Sequence, residues 1–142
     1  MNIAENVKLR LVKAASESAT GDVNSDVVDM AGFDGVMFFT VIGTANAGNY
    51  IKAQQDAAAT FDDDPQDLEG TKVVAGADGE VVGVDIYKPL ERYVRLAVTR
   101  TAATKVGEIY ALQYQGRVKP TVNVVADTIN IETHVSPDEG TA

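Results

Sequence analysis

The sequence predicts an all-β fold, an antiparallel jelly roll or β-sandwich-like arrangement in one domain that spans residues 1–142. Apolar residues recur mostly with a period of two, the spacing that places side chains on one face of a strand. The short apolar runs are separated by Gly, Asp and Asn, which favour turns. Few segments look helical, so parallel crossovers are not expected. The pattern predicts about eight to ten short antiparallel strands.

In the first half of the chain, apolar and basic residues alternate along residues 7–12. Val7, Leu9 and Leu11 share one face and Lys8 and Arg10 the other, which predicts a half-buried strand. Residues 36–42 are apolar on both faces, which is typical of a central strand. Residues 1–5 are expected to be extended. The composition of residues 57–59 favours neither a helix nor a strand, so both remain open for this segment. The strands predicted in this half are residues 7–12, 27–30, 36–42 and 49–55.

In the second half, alternation predicts five more strands, at residues 82–87, 94–99, 108–115, 122–125 and 129–135. In residues 108–115, Tyr110, Leu112 and Tyr114 share one face. The polar tail, residues 136–142, follows without an apolar anchor. It is expected to be extended, or to order only against a partner.

Composition limits the class of protein. Apolar residues make up 45% of the chain, enough for a real core, and there is no cysteine, which excludes disulfides, thiolate metal sites and a cysteine nucleophile. No apolar stretch approaches the roughly 18 residues of a membrane span, and residues 1–6 lack the pattern of a secretion signal. We expect a soluble protein, made in a cytoplasm, with no membrane partner.

The charge of the chain argues against a nucleic-acid partner. Twelve Lys and Arg against 21 Asp and Glu give a net charge of −9, and such a field repels phosphate backbones. Arg92, Arg95 and Arg100 lie near Tyr93, a grouping that can also bind phosphates and stack bases. We expect instead that these arginines pair with carboxylates, within or between subunits.

Residues 62–69 form the most conspicuous polar cluster and include Asp62, Asp63, Asp64 and Asp67. Carboxylates in a loop can wrap a hard cation such as Ca²⁺. The spacing fails the EF-hand pattern, because Gln66 stands at its fifth position and Asp67 where the turn glycine is required. A solvated loop is favoured and no metal site is predicted. The glycines fit neither nucleotide-binding loop pattern, so no cofactor is predicted.

His134 is the only histidine of the chain. One histidine falls short of a multi-histidine metal site, although it can act as a general base beside Ser or Asp. No Gly-x-Ser-x-Gly elbow accompanies it, and the alternation places it with Asn130 and Glu132 on an exposed strand face. We therefore predict no catalytic residue and no enzyme.

Several segments resemble a family of small proteins from the structural gene clusters of tailed bacteriophages. The resemblance covers nearly the whole chain, but its motifs mark a family and not a chemistry. The segments are Asp22 to Met30 (DVNSDVVDM), Gly32 to Phe38 (GFDGVMF), Asp67 to Thr71 (DLEGT), Val84 to Pro89 (VDIYKP), Arg92 to Arg95 (RYVR) and Val135 to Ala142 (VSPDEGTA).

The resemblance implies a virion protein of the head region, assembled in the host cytoplasm. By analogy with capsid cement proteins of jelly-roll fold, it implies a homotrimer on the capsid exterior that binds the major capsid protein and stabilises the shell. Two alternatives stay open. One is a head-tail connector, neck or tail-tube protein, and the other is a displayed carbohydrate- or receptor-binding module, which the absence of Trp disfavours.

The predicted contact surface is the most recognisable of these segments, because tyrosine and arginine are favoured at interface centres. Tyr87 and Tyr93 are equally consistent with simply covering a sheet edge. The residues predicted at a protein interface are Tyr87, Lys88, Pro89, Arg92, Tyr93 and Arg95.

Overall fold

The computed structural model describes residues 2–62, 64–135 and 139. One short helix precedes a succession of strands. They are α1 (Ile3–Asn6), β1 (Val7–Lys13), β2 (Ser16–Ala19), β3 (Val23–Asn24), β4 (Val28–Asp29), β5 (Gly35–Ile42), β6 (Asn49–Asp56), β7 (Gln66–Asp67), β8 (Val73–Val74), β9 (Glu80–Tyr87), β10 (Tyr93–Arg100), β11 (Thr104–Val106), β12 (Ile109–Tyr114), β13 (Val124–Val125) and β14 (Ile129–Asn130).

The strands form two antiparallel six-stranded sheets and one small hairpin, β13 with β14. Some strands lie end to end along the same edge of their neighbours, and we count such strands as one row. Each sheet then has four rows. In the first sheet the rows are β1 with β2, then β12 with β11, then β5, then β9. In the second sheet they are β3 with β4, then β10, then β6, then β7 with β8.

The hydrophobic core lies between the two sheets, because every second side chain of their central strands points inward. The first sheet contributes residues of β5 and β12, and the second sheet contributes residues of β6 and β10. These side chains are fully buried: Val36, Phe38, Ile42, Ile109, Ala111, Ile51, Val94, Leu96 and Val98. The antiparallel all-β sandwich that the sequence predicts is therefore confirmed. The central position of β5, between β12 and β9, is confirmed too.

The N-terminal prediction is wrong where the structure describes it, since residues 3–6 form α1 rather than an extended segment. Local hydrogen bonds close this single turn: Asn6 Nδ2 donates to the carbonyl oxygen of Asn2 at 2.7 Å, and Asn2 Nδ2 donates to Glu5 at 3.4 Å. Asparagine side chains can hydrogen-bond to the nearby backbone and so favour a turn over an extended segment. The alternation of apolar residues in β1 does not indicate such local contacts.

Several strand bounds also differ. The strand predicted at residues 129–135 stops at Asn130, because β14 pairs only with β13 and no further strand lies beside residues 131–134 in the described part of the chain. Residues 27–30 and 122–125 shorten to β4 and β13. Residues 57–59 are neither helix nor strand. The sequence did not indicate β2, β3, β7, β8 or β11, which are short or polar.

The chain segment 121–131 runs along the free edge of β1. Asn123, which is buried, accepts a hydrogen bond from the Leu9 amide at 2.8 Å through Oδ1 and donates to the carbonyl oxygens of Ala4 and Val7 at 2.7 and 2.8 Å through Nδ2. The Thr121 amide donates to Glu5 at 3.0 Å. These contacts cover an edge that would otherwise be open to pairing with another chain.

Within the described residues, the one helix is far too short to span a membrane. The prediction for the tail, residues 136–142, falls outside the described residues except at Glu139, which is exposed.

Candidate functional site

The six predicted interface residues do not lie on one surface. Tyr87 ends β9 on the outer face of the first sheet, and Lys88 and Pro89 follow it in a loop. Tyr93 and Arg95 lie on the outer face of the second sheet, because their neighbours Val94 and Leu96 point into the core. The structure therefore groups the predicted residues around loop 88–92, which joins the two sheets, and separates Arg95 from Tyr87.

Loop 88–92 is held in place from within the protein. The Lys88 amide donates to the carbonyl oxygen of Asp34 at 2.7 Å, and Lys88 itself has a positive φ of 52°. Buried Gln55 accepts hydrogen bonds from the Leu90 and Glu91 amides at 3.2 and 3.3 Å. On this anchored backbone the Leu90 side chain is 90% exposed. An apolar side chain thus projects into water from a fixed position.

Arg92 closes this loop against the second sheet. Its guanidinium forms a bidentate pair with Asp29, with both N to O distances at 2.9 Å, and it lies 5.2 Å from the centre of the Tyr93 ring. The hydrogen bond from Arg92 lowers the pKa of Asp29, with further contributions from the Ala31 amide and the charges of Arg92 and Arg10 that outweigh partial burial. The expected arginine-carboxylate pair is confirmed for Arg92.

An open cavity of about 710 Å³ lies beside the loop. Its lining includes Phe33, Asp34, Glu91 and Arg117, so charges of both signs meet an aromatic ring. The Arg117 amide donates to Gly32 at 2.9 Å, which brings this stretch of chain against loop 88–92. The mixture of charges selects no single class of small ligand.

The outer face of the second sheet is covered by a polar network. Lys52 and Gln54 both donate to Asp67, at 2.6 and 2.7 Å, and these two hydrogen bonds lower the pKa of Asp67. Arg95 donates to Gln54 at 2.9 Å and lies 4.2 Å from the centre of the Phe61 ring. Burial lowers the pKa of Arg95. The charge of Asp56 opposes this lowering, so Arg95 has both an amide hydrogen-bond partner and a nearby carboxylate.

The outer face of the first sheet is apolar across β12, β5 and β9, whereas β11 and β2 carry the exposed ion pair of Lys105 and Glu17 at 3.6 Å. Strand pairing aligns outward side chains of β1, β12, β5 and β9, and in the outward positions of the last three strands the only charged residue is Asp85. Met37 is 39% exposed, Val41 38% and Val81 66%. We call this surface the apolar face; it consists of Leu9, Leu11, Met37, Phe39, Val41, Val81, Tyr110 and Leu112.

Aromatic contacts order the apolar face and its rim. The rings of Phe39 and Tyr110 stack with centroids 5.4 Å apart, and those of Tyr87 and Tyr114 stack at 6.5 Å. Tyr114 lies over Gly35, where an added Cβ would fall 2.1 Å from the Tyr114 ring. The Tyr114 hydroxyl donates to Asp85 at 2.7 Å, and burial together with this hydrogen bond raises the pKa of Tyr114.

Sequence reasoning did not identify the apolar face as a surface. The alternation in β1 is confirmed, but Leu9 and Leu11 lie opposite Leu112 and Tyr110 on the outward side and are only partly buried. The apolar pattern on both faces of β5 predicts a buried strand, whereas the outward residues Met37 and Val41 are exposed. The signal that could have revealed the surface is the coincidence of outward apolar positions in three paired strands.

The acidic loop and His134 are the remaining polar features that the sequence singles out. In the described residues, which omit Asp63, no group of three or more His, Asp or Glu side chains could hold a metal ion. Asp67 points to Lys52, and Asp62 accepts a hydrogen bond from Thr60. Whether the loop binds a cation stays a prediction. His134 is exposed as expected and lies 3.3 Å from Glu132, although it is not in a strand.

Comparison with known proteins adds no assignment: no protein-family model matches this sequence, and no curated protein matches it either.

Proposed function

We propose that this chain is a non-enzymatic structural protein of a tailed-phage virion, which binds the outer surface of the capsid and stabilises the shell. The resemblance of its sequence segments to small phage head proteins is the starting point of this proposal. The partner is then the major capsid protein, and the place of action is the virion.

The order of the strand rows supports the proposal. If the eight rows are numbered along the chain, the first sheet has the order 1-8-3-6 and the second sheet the order 2-7-4-5. This is the strand order of a jelly roll, a fold that occurs in viral capsid proteins and in lectins. A fold hosts many functions, so the argument for binding has to come from a surface.

The observation that carries the proposal is Leu90 on its anchored loop. Gln55 restrains the backbone beneath this leucine, whose side chain is 90% exposed, so binding would not have to order the loop itself. Tyr87 and Arg92, types favoured at interface centres, stand beside it. Loop 88–92 is therefore the part of the chain best prepared to enter a pocket on another protein.

Weak contacts of this kind suffice on a capsid. A shell presents many equivalent sites, and a clamp that touches neighbouring capsomers adds buried area at each of them. A homotrimer follows from the resemblance alone and stays a prediction.

The first experiment measures the copies of this chain per major capsid protein in purified virions, by quantitative mass spectrometry. A cement protein is expected at a ratio of order one, because the capsid repeats its sites many times. A ring of about a dozen copies would move the chain to the neck or tail. Absence from the particles would overturn the virion proposal.

The second experiment tests the loop. The variant Leu90→Asp should bind shells of the major capsid protein at least about tenfold more weakly in cosedimentation, because a carboxylate would have to be buried where leucine now stands. Val122→Asp is the matched control, since Val122 is also an exposed apolar residue, at 71%, and lies in segment 121–131 along β1. Equal binding by Leu90→Asp and the control would remove loop 88–92 from the contact.

A further inference from the structure

We propose that the apolar face is an interface between two copies of this chain, packed first sheet against first sheet. This inference goes beyond the virion role and does not depend on it. The exposed fractions of Met37, Val41 and Val81 motivate it, since clustered apolar side chains in water mark an interaction site. Its centre, the stacked rings of Phe39 and Tyr110, is only half-buried.

The shape of the surface fits a second copy. The inner face of the first sheet already packs against another sheet, and sheets pack face to face at about 10 Å when apolar side chains interdigitate. The apolar face offers side chains of the same types, on strands of the same sheet. A second copy, related by a two-fold axis, would present the same surface in return.

The distribution of charge favours this face over the other. Two copies of a chain with a net charge of −9 repel each other unless the contact avoids the charges. Asp85 is the only charged residue in the outward positions of β5, β9 and β12, and it already accepts a hydrogen bond from the Tyr114 hydroxyl. The ion pair of Lys105 and Glu17 lies on β11 and β2, at one end of the same sheet and outside the apolar face. The second sheet instead presents Lys52, Asp67 and Arg95 in a polar network, which is costly to dehydrate.

The area of the apolar face predicts a reversible pair. Four rows spaced by about 4.8 Å, each with about seven residues at 3.3 Å, give a projected area on the order of 450 Å² per copy. If the pair covered the whole outer side of the sheet, it would bury on the order of 900 Å², at the low end of specific interfaces, where weak and transient association is typical.

A face-to-face pair closes with two copies, because the same patch is used on both. The homotrimer implied by the resemblance would require a different contact. The mass of the oligomer in solution therefore distinguishes these two arrangements.

The test is sedimentation velocity of the full chain between about 1 and 100 µM, the range in which a weak interface of this size dissociates. The variants are Val41→Lys and Val81→Lys, the second on an edge strand at a position that is 66% exposed. The control is Val74→Lys, because Val74 is 41% exposed, close to the 38% of Val41, but lies on the second sheet. Circular dichroism verifies that each variant folds.

We expect the wild-type chain and Val74→Lys to form pairs at the upper concentrations. Val41→Lys and Val81→Lys should associate at least about tenfold more weakly, because each would bury an ammonium group in an apolar contact. A wild-type chain that stays monomeric at 100 µM would overturn the proposal. So would a mass of three copies, or pairing that folded Val41→Lys retains. Shell binding by Leu90→Asp is measured separately, so failure of the pair and failure of capsid binding are distinguishable.

Discussion

At the scale of single residues, Arg100 shows how a charged side chain can replace part of a core. It is only 8% exposed, and its guanidinium donates to the carbonyl oxygens of Gly21, Glu17 and Thr104 at 2.8, 3.1 and 3.2 Å. The expectation that Arg100 pairs with a carboxylate is wrong. Main-chain carbonyls of β2, of the turn that follows it and of β11 satisfy the guanidinium, and they become neighbours only after folding.

We expect Arg100→Lys to lower the free energy of unfolding by about 2 to 3 kcal/mol, because lysine keeps the charge but not the planar fork of donors that reaches several carbonyls. Urea denaturation followed by circular dichroism measures the change. Arg117→Lys makes the same substitution at an exposed position and should change stability by less than about 0.5 kcal/mol. Similar losses in the two variants would contradict this account of Arg100.

At the scale of elements, β1 and β5 show that the position of a strand in its sheet and the burial of its side chains are separate properties. A hydrophobic pattern does not distinguish the two. β5 is central in its sheet because strands pair with it on both edges, yet its outward residues Met37 and Val41 are exposed. β1 lies at an edge, and the segment that contains Asn123 covers it. An apolar residue in a sequence indicates that its side chain is more stable when it is removed from water. The side chains that cover it can belong to the same chain or to another chain.

Asn123→Ala should release this cover. The loss of three side-chain hydrogen bonds at a buried position is expected to lower the free energy of unfolding by about 1 to 3 kcal/mol. Hydrogen exchange should accelerate at the Leu9 amide and across residues 121–131. Asn130→Ala is the control, since Asn130 is exposed and its side chain makes no hydrogen bond to the described residues. Unchanged exchange at Leu9 would show that the segment stays in place without Asn123.

At the scale of the whole molecule, the two sheets share one core but present different outer faces. The second sheet carries a network of amides with the Lys52–Asp67 ion pair. The first sheet carries the apolar face, with the Lys105–Glu17 ion pair on β11 and β2 beside it, and loop 88–92 joins the two sheets at one end. Few charged side chains lie on the apolar face, so dehydration of this side of the sandwich costs less than dehydration of the second sheet. Contacts with other molecules are expected at that side and at the loop.

Acid should destabilise the molecule through Asp29 and Asp67. Their folded-state pKa values lie below the ordinary 3.8, because Arg92 and Lys52 donate to them. Their contribution is therefore present above pH 3.8 and is lost as the pH falls through the lower folded-state pKa values. Urea denaturation at a series of pH values from about 6 to 2 should show a shallower acid-side fall for the double variant Asp29→Asn/Asp67→Asn than for the wild type.

Asp127→Asn is the control for this comparison, because the Asp127 side chain makes no hydrogen bond or ion pair with the described residues. Its acid-side slope should follow the wild type. A double variant with the wild-type slope would show that other groups cause the acid sensitivity.

The sequence by itself determined the fold class, the main strands and the central place of β5, because a period of two and turn residues are local properties of the chain. It also pointed to residues 87–93, where Arg92 pairs with Asp29. Only the tertiary structure decided that Gln55 anchors the backbone of exposed Leu90 and that Arg100 binds main-chain carbonyls. It also decided that Leu9, Met37 and Tyr110 meet on one outer face. The reason is physical: alternation states which side chains share a face, but only the pairing and packing of distant strands decide whether that face is covered.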